Sequence, residues 1–204
     1  MAQTSTTIAS SKSHKVDISG SVISFTKTGT EYKISSSSVS TVSFGNLSQF
    51  DLVTISGTTN NNGTFTVKSV ASDGSYLIVE EEVVTENSDG STTVTLDYVG
   101  FVTDKQKGDG YYSQVDGIHT VAYHVSAGSN TAANNFDGKI KIQGSLATTP
   151  TEDDWFDVDN TTFTADLSTK VASFNFTGNF VWIRAKAFDQ TNSASSVTKI
   201  SYNH

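Results

Sequence analysis

The sequence has few of the residue types on which many functional sites depend. It contains no cysteine among its 204 residues, which excludes disulfides, thiolate metal sites and cysteine nucleophiles. It contains one proline, Pro150. Charged residues make up 17% of the chain, which is too few for a disordered polyelectrolyte. No apolar run has the length of a membrane span, so we expect no transmembrane segment.

Positive charge is the scarcer of the two signs. The net charge is −8 at pH 7, and a nucleic-acid partner would require clustered Lys and Arg to neutralise its phosphates. An anionic membrane surface is disfavoured as a partner for the same reason. Residues 1–15 contain no apolar signal core, so we expect no cleaved secretory signal and a protein that matures in the cytoplasm where it is made.

Short segments of alternating apolar and polar residues fill most of the chain. They are rich in Val, Ile, Thr, Phe and Tyr, and Gly, Asn, Asp and Ser turns separate them. No segment carries a 3.6-residue apolar stripe over three turns. The sequence therefore predicts an all-β fold. We expect strands within residues 16–25, 51–57, 63–70, 75–84, 91–102, 117–126, 136–146, 171–177, 180–188 and 195–202.

A polar, glycine-bearing segment divides the expected strands into two groups. We predict an inter-domain linker at residues 104–110, DKQKGDG. Residues 16–103 are predicted to form a small β meander or barrel-like domain, and residues 111–204 an antiparallel β-sandwich. Residues 1–15 are predicted to form an extended N-terminal arm. Turns that need positive φ, which Asn, Asp and Gly tolerate best, are expected at 60–63, 72–74 and 88–90.

The stretch KIKIQGSLATTPTEDDWFDV (139–158) admits four interpretations: a catalytic acid cluster, a metal loop, a sugar platform or a joint in a scaffold. Ile140 and Ile142 alternate as core residues of a strand do. Gly144 is expected at a bulge or a close approach, and the proline ends the strand. Trp155 is expected to enter the other sheet. These features favour the scaffold.

The acids of this stretch do not form a convincing catalytic pair. Glycoside hydrolysis needs two carboxyl groups on opposite walls of a cleft, whereas Glu152, Asp153, Asp154 and Asp157 follow one another on a single loop. No metalloprotease, nucleophile-elbow, P-loop or dinucleotide motif occurs elsewhere. The sequence therefore predicts no enzyme, no catalytic residue and no cofactor.

Metal binding has weak support. The segment DVDNTT (157–162) begins as a calcium loop does, but it has Thr161 where Asp or Asn belongs and lacks the turn glycine and the final Glu. A solvated acidic turn is favoured, with a weak divalent site as the alternative. His119 and His124 fall on opposite faces of one strand and cannot share a metal. We predict no metal-site residues.

Several stretches of the sequence resemble parts of known proteins. GYYSQVDGIHTVAYHV (110–125), the block 136–158 and FTGNFVWIRAKA (176–187) resemble a C-terminal module of structural proteins of tailed phages, particularly the large contractile-tailed phages of marine cyanobacteria. Residues 44–70 are similar to a small β module of phage virion proteins. The resemblance covers about three-quarters of the chain. It implies a virion component, used as capsid decoration or as a tail or baseplate accessory, and it transfers no catalytic residues.

The predicted function is therefore that of a non-enzymatic virion protein, which contacts other virion proteins and forms a homo-oligomer. The alternative is a host-recognition module that binds surface glycans through Tyr111, Tyr112 or Trp155. Trp182 and Phe174 are predicted to lie in the C-terminal core.

The arm is expected to dock on an acidic neighbour, since it is too poor in apolar residues to fold alone. Its basic residues, Lys12, His14 and Lys15, contrast with the charge of the whole chain.

Overall fold

The computed structural model describes residues 5–115, 117–127 and 135–203. Strands hold 49% of the described residues and helical turns 4%, so the prediction of an all-β fold is confirmed. Short 3-10 helices lie at Asp109–Tyr112 and Glu152–Asp154. The strands are β1 Ser5–Ala9, β2 Lys12–Ser13, β3 Ile18–Gly20, β4 Ile23–Thr28, β5 Glu31–Ser36, β6 Asp51–Ser56, β7 Gly63–Val70, β8 Tyr76–Val79, β9 Val94–Val102, β10 Gln106–Lys107, β11 Ile118–Val125, β12 Lys139–Ser145, β13 Phe156–Asp157, β14 Phe163–Thr164, β15 Val171–Thr177, β16 Trp182–Phe188 and β17 Ser196–Asn203.

Strand boundaries follow the alternation of the sequence closely at several places. β7 and β15 coincide with the predicted ranges. β5 was not predicted, because Ile34 is the only fully buried side chain in its polar sequence. β8 ends at Val79, earlier than predicted, because the carboxylate of Glu81 turns back to accept hydrogen bonds from the backbone and hydroxyl of Thr66, at 2.6 and 2.7 Å.

The described chain forms two compact units. One spans Lys15–Phe101. Its antiparallel strands follow the order β3-β9-β6-β7-β8-β5-β4. The prediction was a small meander or a barrel-like domain, and β6, β7 and β8 form a simple meander within this order. The strands enclose one apolar core, whose fully buried members include Phe25, Ile34, Phe44, Val53 and Val67.

Two predicted turns of this unit have the expected backbone geometry. Gly74 (φ 72°) lies in the connection between β7 and β8, and Gly90 (φ 73°) lies between β8 and β9. A side chain at Gly74 would also meet the Ser43 hydroxyl at 2.3 Å, so this turn needs glycine for space as well as for φ.

The other unit combines Met1–His14 with Val102–His204. Its first sheet has the order β1-β17-β11-β15, with β2 also paired to β17. Its second sheet has the order β13-β12-β16, with β14 on β12 and β10 on β16. All of these pairs are antiparallel, and the two sheets are consistent with a sandwich-like arrangement.

The core of this unit lies between its two sheets, and Phe180 connects them. The Phe180 ring lies 6.2 Å from that of Phe176 in β15, and the Cβ of an alanine at Gly144 in β12 would meet it at 2.6 Å. Gly144 thus marks a close approach, as predicted. Ile140 and Ile142 are fully buried, which confirms their predicted core positions.

The N-terminal segment, predicted as an arm for a neighbour, pairs with its own chain. Residues 1–4 lie outside the described part, but β1 pairs with β17 from Ser5 to Ala9, and the His14 backbone donates to the Ser195 carbonyl. The Lys15 ammonium lies 2.8 Å from the buried Asp51 carboxylate. The sheet edge to which the N-terminal segment binds therefore belongs to the same chain.

Residues 104–110, predicted as a linker, contact the sheet of β16. Gln106 and Lys107 form β10 on β16, and the Gly108 backbone donates to the Val181 carbonyl. The 3-10 helix that follows contains the buried side chain of Asp109.

The predicted core positions of Trp182 and Phe174 were wrong, because both side chains are only half-buried. Ile183, next to Trp182 and on the opposite face of β16, is fully buried instead. In β15 the buried ring is Phe176. Trp155 does not enter the other sheet either, because β13 follows it and pairs with β12.

Candidate functional site

The acidic stretch 152–157 is held to the second sheet of the C-terminal unit by its own carboxylates. Glu152 binds the Arg184 guanidinium through both oxygens, at 2.8 and 2.7 Å. Asp154 caps its short helix by accepting hydrogen bonds from the backbone and hydroxyl of Thr151, and these bonds lower the pKa of Asp154. Glu152 therefore ties the stretch to β16, and Asp154 stabilises the short helix.

Asp157, in β13, binds side chains of the neighbouring strand β12. Its carboxylate accepts hydrogen bonds from Lys141 at 2.5 Å and from Gln143 at 3.0 Å. Burial raises the pKa of Asp157, but these hydrogen bonds and the Lys141 charge outweigh burial and leave the pKa below its ordinary value.

Arg184 is the residue to which Glu152 ties the stretch, and sequence reasoning missed it. Its side chain is 6% exposed, its Nε donates to Gln143 at 3.0 Å, and its guanidinium lies 4.3 Å from the Trp155 ring. Trp155, one of the three predicted glycan-contacting rings, thus stacks on a cation and is half-buried. The available signal was that Arg184 is the only arginine in the sequence.

The potential metal loop 157–162 supplies few free ligands. The Asp157 carboxylate is engaged as described, and Thr161 is buried with its hydroxyl donating to the Val158 carbonyl at 2.7 Å. Over the described ranges, no group of three or more potential metal-ligating side chains is found. Asp159 is exposed on the loop.

The two histidines of β11 lie on opposite faces, as predicted. His119 is fully buried between the rings of Phe176 and Tyr202, whereas His124 is half-buried. His119 Nε2 lies 3.2 Å from the Gly178 carbonyl and 3.4 Å from the Asp109 carboxylate, and its Nδ1 lies 2.7 Å from the Tyr202 hydroxyl. This buried network ties the helix Asp109–Tyr112 to the sandwich.

A surface that we call the lysine–aromatic patch lies beside this helix. It consists of Lys105, Lys107, Tyr111, Tyr112 and Trp182. The Lys107 ammonium lies 4.1 Å from the Tyr111 ring, and the Lys105 ammonium lies 4.7 Å from the Trp182 ring. Tyr111 and Tyr112 are 42% and 48% exposed, but their rings meet edge to face at 76°. The patch therefore combines two cations with exposed ring edges and offers no shared flat face.

A second surface, the edge groove, runs beside β15. It has a volume of about 670 Å³. Its apolar surface includes Ile118, 62% exposed, and Phe156, 43% exposed, with the buried Phe180 beneath them. The groove is lined by Ile118, residues 156–160, residues 175–177 and Phe180. Its charged lining residues are Asp157 and Asp159, so the wall is acidic.

Comparison of the sequence with protein-family models and with curated proteins finds no match. In the part of the chain that the structure describes, no helix is long and apolar enough to cross a bilayer.

Proposed function

We propose that the protein is a non-enzymatic structural component of a tailed-phage virion, on the capsid surface or in the tail or baseplate, and that it acts through protein–protein contacts. The resemblance of residues 44–70, 110–125, 136–158 and 176–187 to virion proteins supports the assignment to a particle. The use of Glu152, Asp154 and Asp157 as structural ties supports a scaffold role for the acidic stretch.

The observation that carries the proposal is the exposed apolar surface of the edge groove. Ile118 and Phe156 lie in one concave surface, where burial against another protein would remove apolar area from water. A virion protein that is held by such contacts needs no cofactor or reacting group.

The test is the composition of purified particles. Particles of the phage that encodes the protein are analysed by mass spectrometry, and the protein is located by immunogold labelling. We expect a fixed number of copies per particle. Complete, infectious particles that lack the protein would overturn the proposal.

A matched pair of variants tests the contact surface. Phe156→Ser should lower incorporation, whereas Tyr76→Ser, which removes a similarly exposed ring of the other unit, should not. Circular dichroism establishes that both variants are folded. Equal incorporation would place the attachment surface elsewhere.

The lysine–aromatic patch favours a second candidate, binding of a host-surface glycan. Because Lys105 and Lys107 accompany rings that are not coplanar, a carboxylated or sulfated sugar fits this patch better than a neutral one. A glycan array with the wild type, Tyr112→Ala and Tyr76→Ala tests it. Tyr76 is 39% exposed and also has a lysine near its ring, so it is the matched control. Absence of binding to acidic glycans by the wild type would remove this candidate.

A further inference from the structure

β15 is the last strand of its sheet in the described residues, and its pairing with β11 is regular over its length. The Val125 backbone donates to the Lys170 carbonyl at 3.0 Å, so residues 170, 172, 174 and 176 direct their backbone groups toward β11. The alternate residues, 171, 173, 175 and 177, direct theirs toward the open edge. No backbone hydrogen bond from these four residues to another described residue is found, so a ladder of backbone donors and acceptors is available there.

Natural proteins usually protect such edges with Lys, Pro, a bulge or a covering segment. β15, with the sequence VASFNFT, contains neither Lys nor Pro, and its register with β11 shows no shift. At the opposite end of the sheet, β17 is covered by β1, and β1 itself carries a register shift between Thr7 and Ala9. At one end of the sheet β1 thus covers β17, whereas no strand among the described residues covers β15 at the other end.

The open edge and the edge groove coincide. Asn175 and Thr177 have backbone groups that face the edge, and both residues line the groove. A strand added to β15 would direct alternate side chains toward the apolar surface of Phe156 and Phe180, since successive side chains of a strand point to opposite faces. Backbone pairing and an apolar receptor surface are the two elements of recognition by strand addition.

The negative charge of the groove indicates which charge its partner should carry. Its wall contains the carboxylates of Asp157 and Asp159, and none of its lining residues is cationic. Asp157 already binds Lys141, whereas no hydrogen bond of Asp159 to another described residue is found. A second copy of this chain, which carries a net charge of −8, is a poor match for an acidic wall. A basic segment of a different protein is a good one.

We infer that β15 receives an extended segment of another protein as an added strand, with apolar side chains at alternate positions in the edge groove and a Lys or Arg beside Asp159. This inference rests on the proposed function, because it names the attachment surface of a virion scaffold. It adds to the proposed function a backbone contact along β15, which does not follow from the exposed apolar surface alone.

The first experiment tests the backbone contact with the full-length protein. The probe is a labelled synthetic peptide of roughly eight residues, the length of an ordinary strand, with Val and Thr alternating and Lys at both ends. Asn175→Pro removes an edge-facing N–H, whereas Asn175→Ala keeps it, and both variants lose the Asn175 hydrogen bond with Thr120. Fluorescence anisotropy should show affinity about tenfold lower for the proline variant than for the alanine variant.

Amide exchange of the wild type provides a second readout that does not depend on the proline variant folding. Binding of the peptide should slow exchange at Ser173, Asn175 and Thr177. Failure of the wild type to bind the peptide, equal affinities of the two folded variants, or binding without protection of these amides would overturn the inference.

The second experiment tests the charge. Asp159→Lys should reverse the preference of the groove from the Lys-ended peptide to a Glu-ended one. Asp153→Lys adds the same charge change at an exposed acid of the stretch that does not line the groove, and it should leave the preference unchanged. Identical effects of both substitutions would contradict the role of Asp159.

The outcomes separate this inference from the proposed function. Particles that incorporate wild type and Asn175→Pro equally would refute strand addition and leave the virion assignment intact. A protein that binds the peptide as expected but is absent from particles would refute the virion assignment and leave the binding edge intact.

Discussion

Replacing Glu152 by alanine should destabilise the C-terminal unit more than replacing Arg184 by methionine. The Arg184 side chain is 6% exposed and that of Glu152 is 22% exposed. Loss of Glu152 leaves a buried cation that keeps its hydrogen bond to Gln143 and its contact with the Trp155 ring but loses its bidentate carboxylate partner. Loss of Arg184 leaves a carboxylate that can turn toward water, and methionine retains most of the apolar contact with Trp155.

The magnitudes follow from this asymmetry. Removing one partner of a buried ion pair costs about 3–5 kcal/mol, and the partial exposure of Glu152 places Glu152→Ala at about 3 kcal/mol. Arg184→Met forfeits hydrogen bonds to a charged group, at about 2 kcal/mol. The double variant should be less destabilised than the sum by about 1–3 kcal/mol. For Glu152→Ala the melting temperature should fall by about 6–12 °C.

The assay is urea denaturation followed by circular dichroism and by tryptophan fluorescence, which reports on Trp155 and Trp182 of this unit. Lys139→Ala is the control in the same unit, because the pair of Lys139 with Asp189 is 42% and 58% exposed and should contribute less than about 1 kcal/mol. If Glu152→Ala changes the free energy of unfolding no more than Lys139→Ala does, the reasoning about the buried pair is refuted.

Three further outcomes are expected. Phe176→Ala should cost about 3–5 kcal/mol and Trp182→Ala clearly less, because Phe176 is buried and Trp182 only half-buried; equal denaturation midpoints would contradict this. Gly178→Ala should lower the free energy of unfolding by about 1–3 kcal/mol in the same assay, because φ is +152° and the new Cβ would lie 2.1 Å from a carbon of the Phe180 ring. An unchanged denaturation midpoint would show that the turn accommodates the new Cβ without strain. Hydrogen bonds from Thr151 lower the pKa of Asp154, so the stability this carboxylate provides is complete above the ordinary Asp pKa and is lost as pH falls from about 5 toward 2. Asp154→Asn should flatten the dependence of unfolding free energy on pH over that interval, and a slope identical to that of the wild type would contradict the assignment.

What the sequence determined was local. Alternation of side chains along an extended chain is a property of adjacent residues, so the strand class and the inward faces of Ile140 and Ile142 could be predicted. Gly74 and Gly90 could be placed in turns because the demand for positive φ is met within a few residues. The opposite orientations of His119 and His124 followed from strand geometry alone.

The burial of individual rings required knowledge of both faces of each strand. In β16 the face of Ile183 is fully buried, while Trp182 on the other face is covered only in part, by Tyr111 and Lys105. Both faces of this strand carry large side chains, so the pattern did not identify which one meets the core.

Which side chains and which strands pair with each other was decided only by the tertiary structure. Glu152 and Arg184 are 32 residues apart, and β1 pairs with β17 at the other end of the chain. Any extended segment can in principle hydrogen-bond to any other, because the ladder is made by backbone groups that all residues share. Which strand remains at the edge depends on how the other strands are already paired. The open side of β15, and with it the edge groove, therefore exists only in the folded chain.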